Sequence, residues 1–267
     1  MTSAGKVLQN RYSVNKQIGA GGMGTVYVAT DQRFGSTVAI KETLFTDPNL
    51  RRAFEREAQL LNSLRHPALP RVSDHFTEGN GAFIVMEYIA GEDLSAMVER
   101  DGAFAVSDVL RWADNLLDAL DYLHNQKFPV IHRDIKPQNL KLTPRGEIIL
   151  LDFGLAKGSA SELSQISMTK SVFGYSRSYA PLEQIQGTGT DPRSDLYGLA
   201  ATLYHLVTGK PPVDALTRAT AVLNGNPDPL PSANTLNSKI PVSVSNVFHQ
   251  AMALNANLRP MTAAQMR

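Results

Sequence analysis

The sequence predicts an α+β protein in two lobes, a small antiparallel β lobe carrying one helix and a larger, mainly helical lobe. Three observations predict it. From Tyr12 to Glu87 short alternating segments are separated by glycine turns. After Tyr88-Ile89-Ala90-Gly91 the pattern changes to long amphipathic helices such as Val106–Asn125 and Ser194–Thr208. A chain of 267 residues is long for one core and natural for one two-lobed domain.

In the first lobe, Tyr12–Ile18 and Thr25–Thr30 alternate in the strand period and flank a glycine-rich turn. Thr37–Glu42 reads as a third strand. Asp47-Pro48 offers a cap followed by proline at the first helical position, so a helix follows with Leu50, Phe54, Leu61 and Leu64 on its apolar face. Gly79-Asn80-Gly81 turns a hairpin between Arg71–Thr77 and Ala82–Glu87. These signals place the β lobe at about 10–86, a joint at about 87–91 and the helical lobe at about 92–267. A two-lobed chain is expected to hold its ligand between the lobes.

Composition narrows the function. Lys and Arg number 26 against 25 Asp and Glu, so charge recruits neither nucleic acid nor an anionic membrane. With no cysteine, disulfides, thiolate metal sites and cysteine nucleophiles are excluded. The six histidines lack metal-ligand spacing. The N-terminus lacks the apolar core of a signal peptide, and the longest hydrophobic stretch, Leu196 to Val207, is too short and too polar to span a bilayer. The expectation is a soluble, cytoplasmic chain without membrane contact. It stops at Arg267 inside what reads as a helix, which predicts a longer parent protein truncated in that helix.

The chemistry lies in two blocks, His132-Arg133-Asp134-Ile135-Lys136-Pro137-Gln138-Asn139 and Asp152-Phe153-Gly154. The first follows an apolar, strand-like segment, Pro129–Ile131, and the second follows the apolar strand Ile148–Leu151. Together they put a carboxylate, an ammonium, an amide and a second carboxylate on neighbouring loops. Phosphoryl transfer from a magnesium nucleotide needs that set, because it asks the protein for positioning and charge neutralisation. Upstream, Gly19-Ala20-Gly21-Gly22-Met23-Gly24 gives a backbone free of Cβ clashes where phosphates would approach. Such a run also suits a plain hairpin; the strand pattern that follows argues against a dinucleotide fingerprint. Lys41, in the apolar strand Val38-Ala39-Ile40-Lys41, needs an anionic partner. Glu57 falls on the inward face of the helix and is the candidate, whereas Glu55 points elsewhere.

These blocks resemble the protein kinase family, in its bacterial Ser/Thr (Hanks-type) branch, over nearly the whole chain. The resemblance implies a two-lobed protein kinase fold, ATP as phosphoryl donor, Mg2+ (or Mn2+) as cofactor and a protein hydroxyl as acceptor. By it, Lys41 aligns the nucleotide phosphates under Glu57, Asp134 orients the acceptor hydroxyl, Lys136 steadies the γ-phosphate, and Asn139 and Asp152 hold the metal. The nucleotide would meet Gly19, Gly21 and Gly24 at its phosphates, with Ile18, Val26 and Ala39 over the adenine and Met86 behind it. Glu87 and Ile89 would bond the base through the backbone, and Asp93 would take the ribose. Lys141 stands where the family has an apolar floor residue; its methylene stem could cover the base while its charge reaches solvent. His132 matches, with Leu61, Val72 and Phe153, an internal hydrophobic stack, so packing is its expected part.

The resemblance extends to regulation. Arg133 matches the arginine that pairs with a phosphate on the segment between Asp152 and Glu183, for which Thr169, then Ser167 and Ser171, are the expected acceptors. Autophosphorylation would proceed through a transient homodimer. The motif ending that segment departs from the family, reading Gly174-Tyr175-Ser176-Arg177-Ser178-Tyr179-Ala180-Pro181-Leu182-Glu183. Ser176 fills the usual threonine position. Asp195 matches a brace of the catalytic loop and Arg259 the partner of Glu183. Two rival readings are a nucleotide-binding scaffold, favoured by Lys141 and the altered motif, and a small-molecule phosphotransferase.

Overall fold

The computed structural model describes residues 2–21, 24–44, 48–152 and 177–267, apart from the side chains of residues 21, 48–53 and 57. The chain divides into two compact units, with the division between Ala90 and Gly91.

The first unit is built on one antiparallel sheet. Its strands are β1 (Val7–Leu8), β2 (Tyr12–Gly21), β3 (Gly24–Asp31), β4 (Ser36–Leu44), β5 (Val72–Glu78) and β6 (Gly81–Glu87), in the order β1-β2-β3-β4-β6-β5. Helix α1 (Pro48–Ser63) packs on β5 through a face containing Phe54, Ala58 and Leu61. Because side chains alternate along a strand, the register assigns them to faces. Tyr12, Val14, Tyr27, Ala29, Val38, Ile40, Phe83 and Val85 form the core cluster with Leu8. The alternate positions fall on the opposite face. Val26 lies opposite Lys41, Val28 opposite Ala39, and Ala39 opposite Met86. Strand β1 is too short to show alternation in sequence. Near it, Thr2 donates its N–H and hydroxyl to buried Glu42, which also accepts from the Tyr27 hydroxyl at 2.8 Å.

The second unit carries a small antiparallel sheet, β7 (Glu92–Asp93), β8 (Leu140–Leu142) and β9 (Ile148–Leu150). Its helices are α2 (Leu94–Asp101), α3 (Val106–His124), α4 (Leu182–Gln186), α5 (Pro192–Thr208), α6 (Ala215–Leu223), α7 (Ala233–Leu236), α8 (Val242–Ala251) and α9 (Ala263–Met266). The apolar run Leu196–Val207 is the heart of α5, which is buried on every side and packs against α3 and α8. A helix hydrophobic all round belongs in a core. Asp191 caps it in a reciprocal capping box with Ser194, and Pro192 occupies its first turn. No helix among the described residues is long and apolar enough to cross a membrane.

One local expectation fails. Pro129–Ile131 forms no strand; Val130 N–H instead donates to Leu123 O beyond the end of α3, and its buried side chain fills the core. The apolar run reflects burial rather than a sheet partner.

Candidate active site

In the first unit, Lys41 lies in mid-β4 and is 5% exposed. The register puts Val26, Ala39 and Met86 on its face of the sheet, with Ile18 at an irregularity in the β2–β3 pairing. Gly19 and Gly21 close β2, and Gly24 opens β3 opposite Gly21. Gly24 has φ +121°, and a Cβ there would stand 2.1 Å from Glu42 O. Only glycine fits. Glu87 N–H already donates to Arg71 O at 2.8 Å, so the group it can offer a ligand is its carbonyl. Glu87 is exposed at the end of β6, and Ile89, just beyond it, is partly buried. Glu57 belongs to α1, but its side chain lies outside the described residues.

In the second unit Asp134, Lys136 and Asn139 converge. Asp134 Oδ2 is 2.9 Å from Lys136 Nζ and accepts a 2.9 Å bond from Asn139 Nδ2. The same amide nitrogen donates to Asp134 O at 2.7 Å. A single 3-10 turn over Pro137–Asn139 produces this, with proline at its start. Both donors of the Asn139 amide are thus committed to Asp134, which turns its carbonyl oxygen away from that carboxylate. Leu151 N–H donates to Asn139 O at 2.7 Å, so Asp152 is delivered beside the turn.

The loop is held under strain. Arg133 has φ +66° and Asp152 φ +61°, left-handed values that are costly for side chains of this kind, about 1–2 kcal/mol each. Asp195, in the first turn of α5, supplies the restraint. Its Oδ1 accepts from Arg133 N and its Oδ2 from His132 N, both at 2.8 Å, while His124 Nε2 lies 2.9 Å from Oδ2. His132 is fully buried, and burial lowers its basicity despite the nearby carboxylates Asp195, Asp134 and Asp152. Asp134 N–H donates to its Nδ1 at 3.3 Å, which leaves Nε2–H to donate to Leu151 O at 3.1 Å. The imidazole is therefore neutral and structural.

Arg133 makes contacts that its sequence neighbours do not announce. Its Nε donates to Thr190 Oγ1 at 2.8 Å, and its carbonyl accepts from Gln184 Nε2 at 2.9 Å. Neither partner carries a motif signal. Thr169, Ser167, Ser171 and Ser176 lie outside the described residues. After them, Glu183 accepts a two-pronged pair from buried Arg259, at 2.7 and 3.0 Å, and a bond from the Ser194 hydroxyl at 2.8 Å. Burial pushes the Glu183 carboxyl up, but Arg259 and Ser194 outweigh it and hold it below its ordinary value.

Asp93 and Lys141 are paired across β7 and β8. The Asp93 carboxylate caps α2 by accepting from Ala96 N–H at 2.9 Å. Half-buried Lys141 is pulled below the ordinary lysine range by desolvation, partly offset by Asp93.

The donor set suits magnesium, which takes one or two protein oxygens and completes its octahedron from phosphates and water. Asn139 and Asp152 offer an amide oxygen and a carboxylate. No cluster of three or more His, Cys, Asp or Glu poised for a metal occurs among the described residues.

Comparison with known proteins agrees with this geometry. The protein kinase domain family model matches residues 12–264. A probable serine/threonine-protein kinase of Clostridium acetobutylicum is 35% identical over 247 residues, 91% of this chain and 37% of that protein. The serine/threonine-protein kinase PrkC of Bacillus subtilis is 34% identical over 265 residues, covering 98% of this chain and 40% of PrkC. The chain thus spans about two fifths of the length of these curated relatives. Among solved structures, the PknI kinase domain of Mycobacterium tuberculosis superposes with a TM-score of 0.76 at 26% identity, covering 100% of this chain and 97% of that one. Sequence match, superposition and the loop built around Asp134 coincide in one assignment: the chain belongs to the protein kinase domain family, in company with bacterial serine/threonine-protein kinases.

Proposed function

We propose that the protein transfers the γ-phosphoryl group of ATP to serine or threonine hydroxyls of protein substrates. The observation that carries this reading is the Asp134 carboxylate held at 2.9 Å by both Lys136 Nζ and Asn139 Nδ2. The acceptor oxygen forms a bond to the γ-phosphorus as the bond to ADP breaks, and the hydroxyl proton passes to Asp134. Lys136 stands where it can neutralise charge on the transferred group. Lys41 engages the nucleotide phosphates, with Glu57 as its partner, and Asn139 and Asp152 hold magnesium. The ion supplies charge neutralisation at the phosphate oxygens.

Around the nucleotide, Gly19, Gly21 and Gly24 admit the phosphates. By the family resemblance, Ile18, Val26, Ala39, Met86 and the stem of Lys141 are assigned to the base. The Glu87 carbonyl and the Ile89 backbone are assigned to the base, and the Asp93 carboxylate, which also caps α2, to the ribose. We assign control to Arg133 with phosphate on Thr169, Ser167 or Ser171, and substrate seating to Ser176. Autophosphorylation in a transient homodimer and a cytoplasmic setting, where ATP is supplied, complete the reading.

Purified protein incubated with ATP and magnesium, beside Asp152→Asn and Asp134→Ala, tests it by mass spectrometry. Phosphate on serine or threonine in the parent chain, reduced by about 10²-fold or more in both variants, is expected. Equal incorporation in the variants would sink the assignment. Nucleotide binding without any transfer would favour the scaffold.

A further inference from the structure

The backbone N–H, the carbonyl and the Nε of one strained residue, Arg133, are all held by groups from residues 184–195. Helix α4 ends at Gly187, in a left-handed cap with Gly187 N–H on Gln184 O and Thr188 N–H on Glu183 O, and α5 begins at the capping box of Asp191. The turn between the two helices is therefore fixed at both ends. From α4 Gln184 Nε2 donates to Arg133 O, from the turn Thr190 Oγ1 accepts from Arg133 Nε, and from the first turn of α5 Asp195 Oδ1 accepts from Arg133 N. A non-glycine residue at φ +66° stays there only when its surroundings over-determine it. The next residue is Asp134.

We propose that Gln184 and Thr190 are positioning residues for phosphoryl transfer, which fix the left-handed backbone of Arg133 and thereby aim the Asp134 carboxylate. Asp195 fixes only the amide side of Arg133, and through the same carboxylate the amide of His132. Without Gln184 the peptide plane between Arg133 and Asp134 loses its carbonyl anchor. Without the Thr190 hydroxyl the guanidinium no longer ties the side chain to the turn. Asp134 then keeps its partners Lys136 and Asn139, which move with it on the same loop, but the loop no longer has one orientation. The effect falls on turnover, because an aim error of the base changes the transition state rather than nucleotide affinity.

The catalytic half of this inference rests on the proposed kinase activity; the clamp does not. Gln184→Met and Thr190→Val remove the polar groups at nearly constant shape, and Thr190→Ser restores the hydroxyl. Hydrogen exchange at the amides of residues 132–134 is expected to rise about tenfold in either variant and to return to the parent value in Thr190→Ser. With ATP, magnesium and a serine/threonine peptide, kcat is expected to fall between about 10- and 100-fold while KM for ATP stays within about twofold. Unchanged exchange overturns the clamp. Raised exchange with unchanged kcat overturns the positioning role. A parent chain that transfers no phosphate overturns the proposed function, and the clamp is then decided by exchange alone.

Discussion

The Tyr179 hydroxyl and His205 Nδ1 are 2.7 Å apart, both on buried side chains, joining the turn before α4 to the last turns of α5. Enclosed on this side by the Tyr179 hydroxyl, the buried imidazole favours its neutral form. Burial lowers it from the ordinary 6.5 to about 4. The unfolded chain therefore takes up this proton first, and stability is complete above about pH 6.5 and is lost as pH falls toward about 4. Thermal unfolding across that range should show His205→Gln, which keeps a hydrogen-bonding group but cannot titrate, losing less of its midpoint than the parent. Parallel curves would contradict the assignment.

Removal of Arg259 should be among the most destabilising single changes in the second unit. Its side chain is 0% exposed, forks onto Glu183 and stacks 4.9 Å from the Tyr197 ring centroid. Arg259→Ala leaves a half-buried carboxylate without its counter-ion, at a cost of about 3–5 kcal/mol in urea unfolding. Arg259→Lys should recover part of that, but not the two-pronged geometry.

Asn139→Ala deletes two hydrogen bonds to Asp134 and one proposed metal oxygen together. Steady-state assays should show kcat reduced by about 10²-fold or more. Raising magnesium should recover only the metal-dependent share, so full recovery at high magnesium would remove Asp134 orientation from the role of Asn139.

Gly24→Ala should destabilise the first unit beyond the ordinary glycine penalty. The φ of +121° alone costs about 1–3 kcal/mol, and the new methyl would overlap Glu42 O at 2.1 Å. Chemical denaturation reads this directly; a loss below about 1 kcal/mol would show that the turn rebuilds.

Much of this was legible because the signals are local. Strand alternation located β2 to β6 to within a few residues, and the spacing of Phe54 and Leu61 located the buried face of α1. Asp134, Lys136 and Asn139 lie within one turn of chain, so their meeting needs no long-range packing. The braces Asp195 and Arg259 came from resemblance, and the contacts found match it. What escaped is long-range or aperiodic. Gln184 and Thr190 reach Arg133 from a distant segment through uncharged side chains, and Thr2 reaches Glu42 from the other end of the first unit. Pro129–Ile131 misled because burial alone makes a segment apolar. Asp93 is a helix cap as well as a candidate ribose ligand, since one carboxylate can serve both.

The hairpin of β8 and β9 has a practical consequence. Asn139 immediately precedes one strand and Asp152 follows the other, while the connecting turn at Thr143–Glu147 lies at the far end of the ladder. Strand pairing, not the turn, fixes the spacing of Asn139 and Asp152. A fluorophore or affinity handle attached at exposed Arg145 would therefore sit on the same hairpin as Asn139 and Asp152, the proposed metal ligands, reporting their movement without touching them.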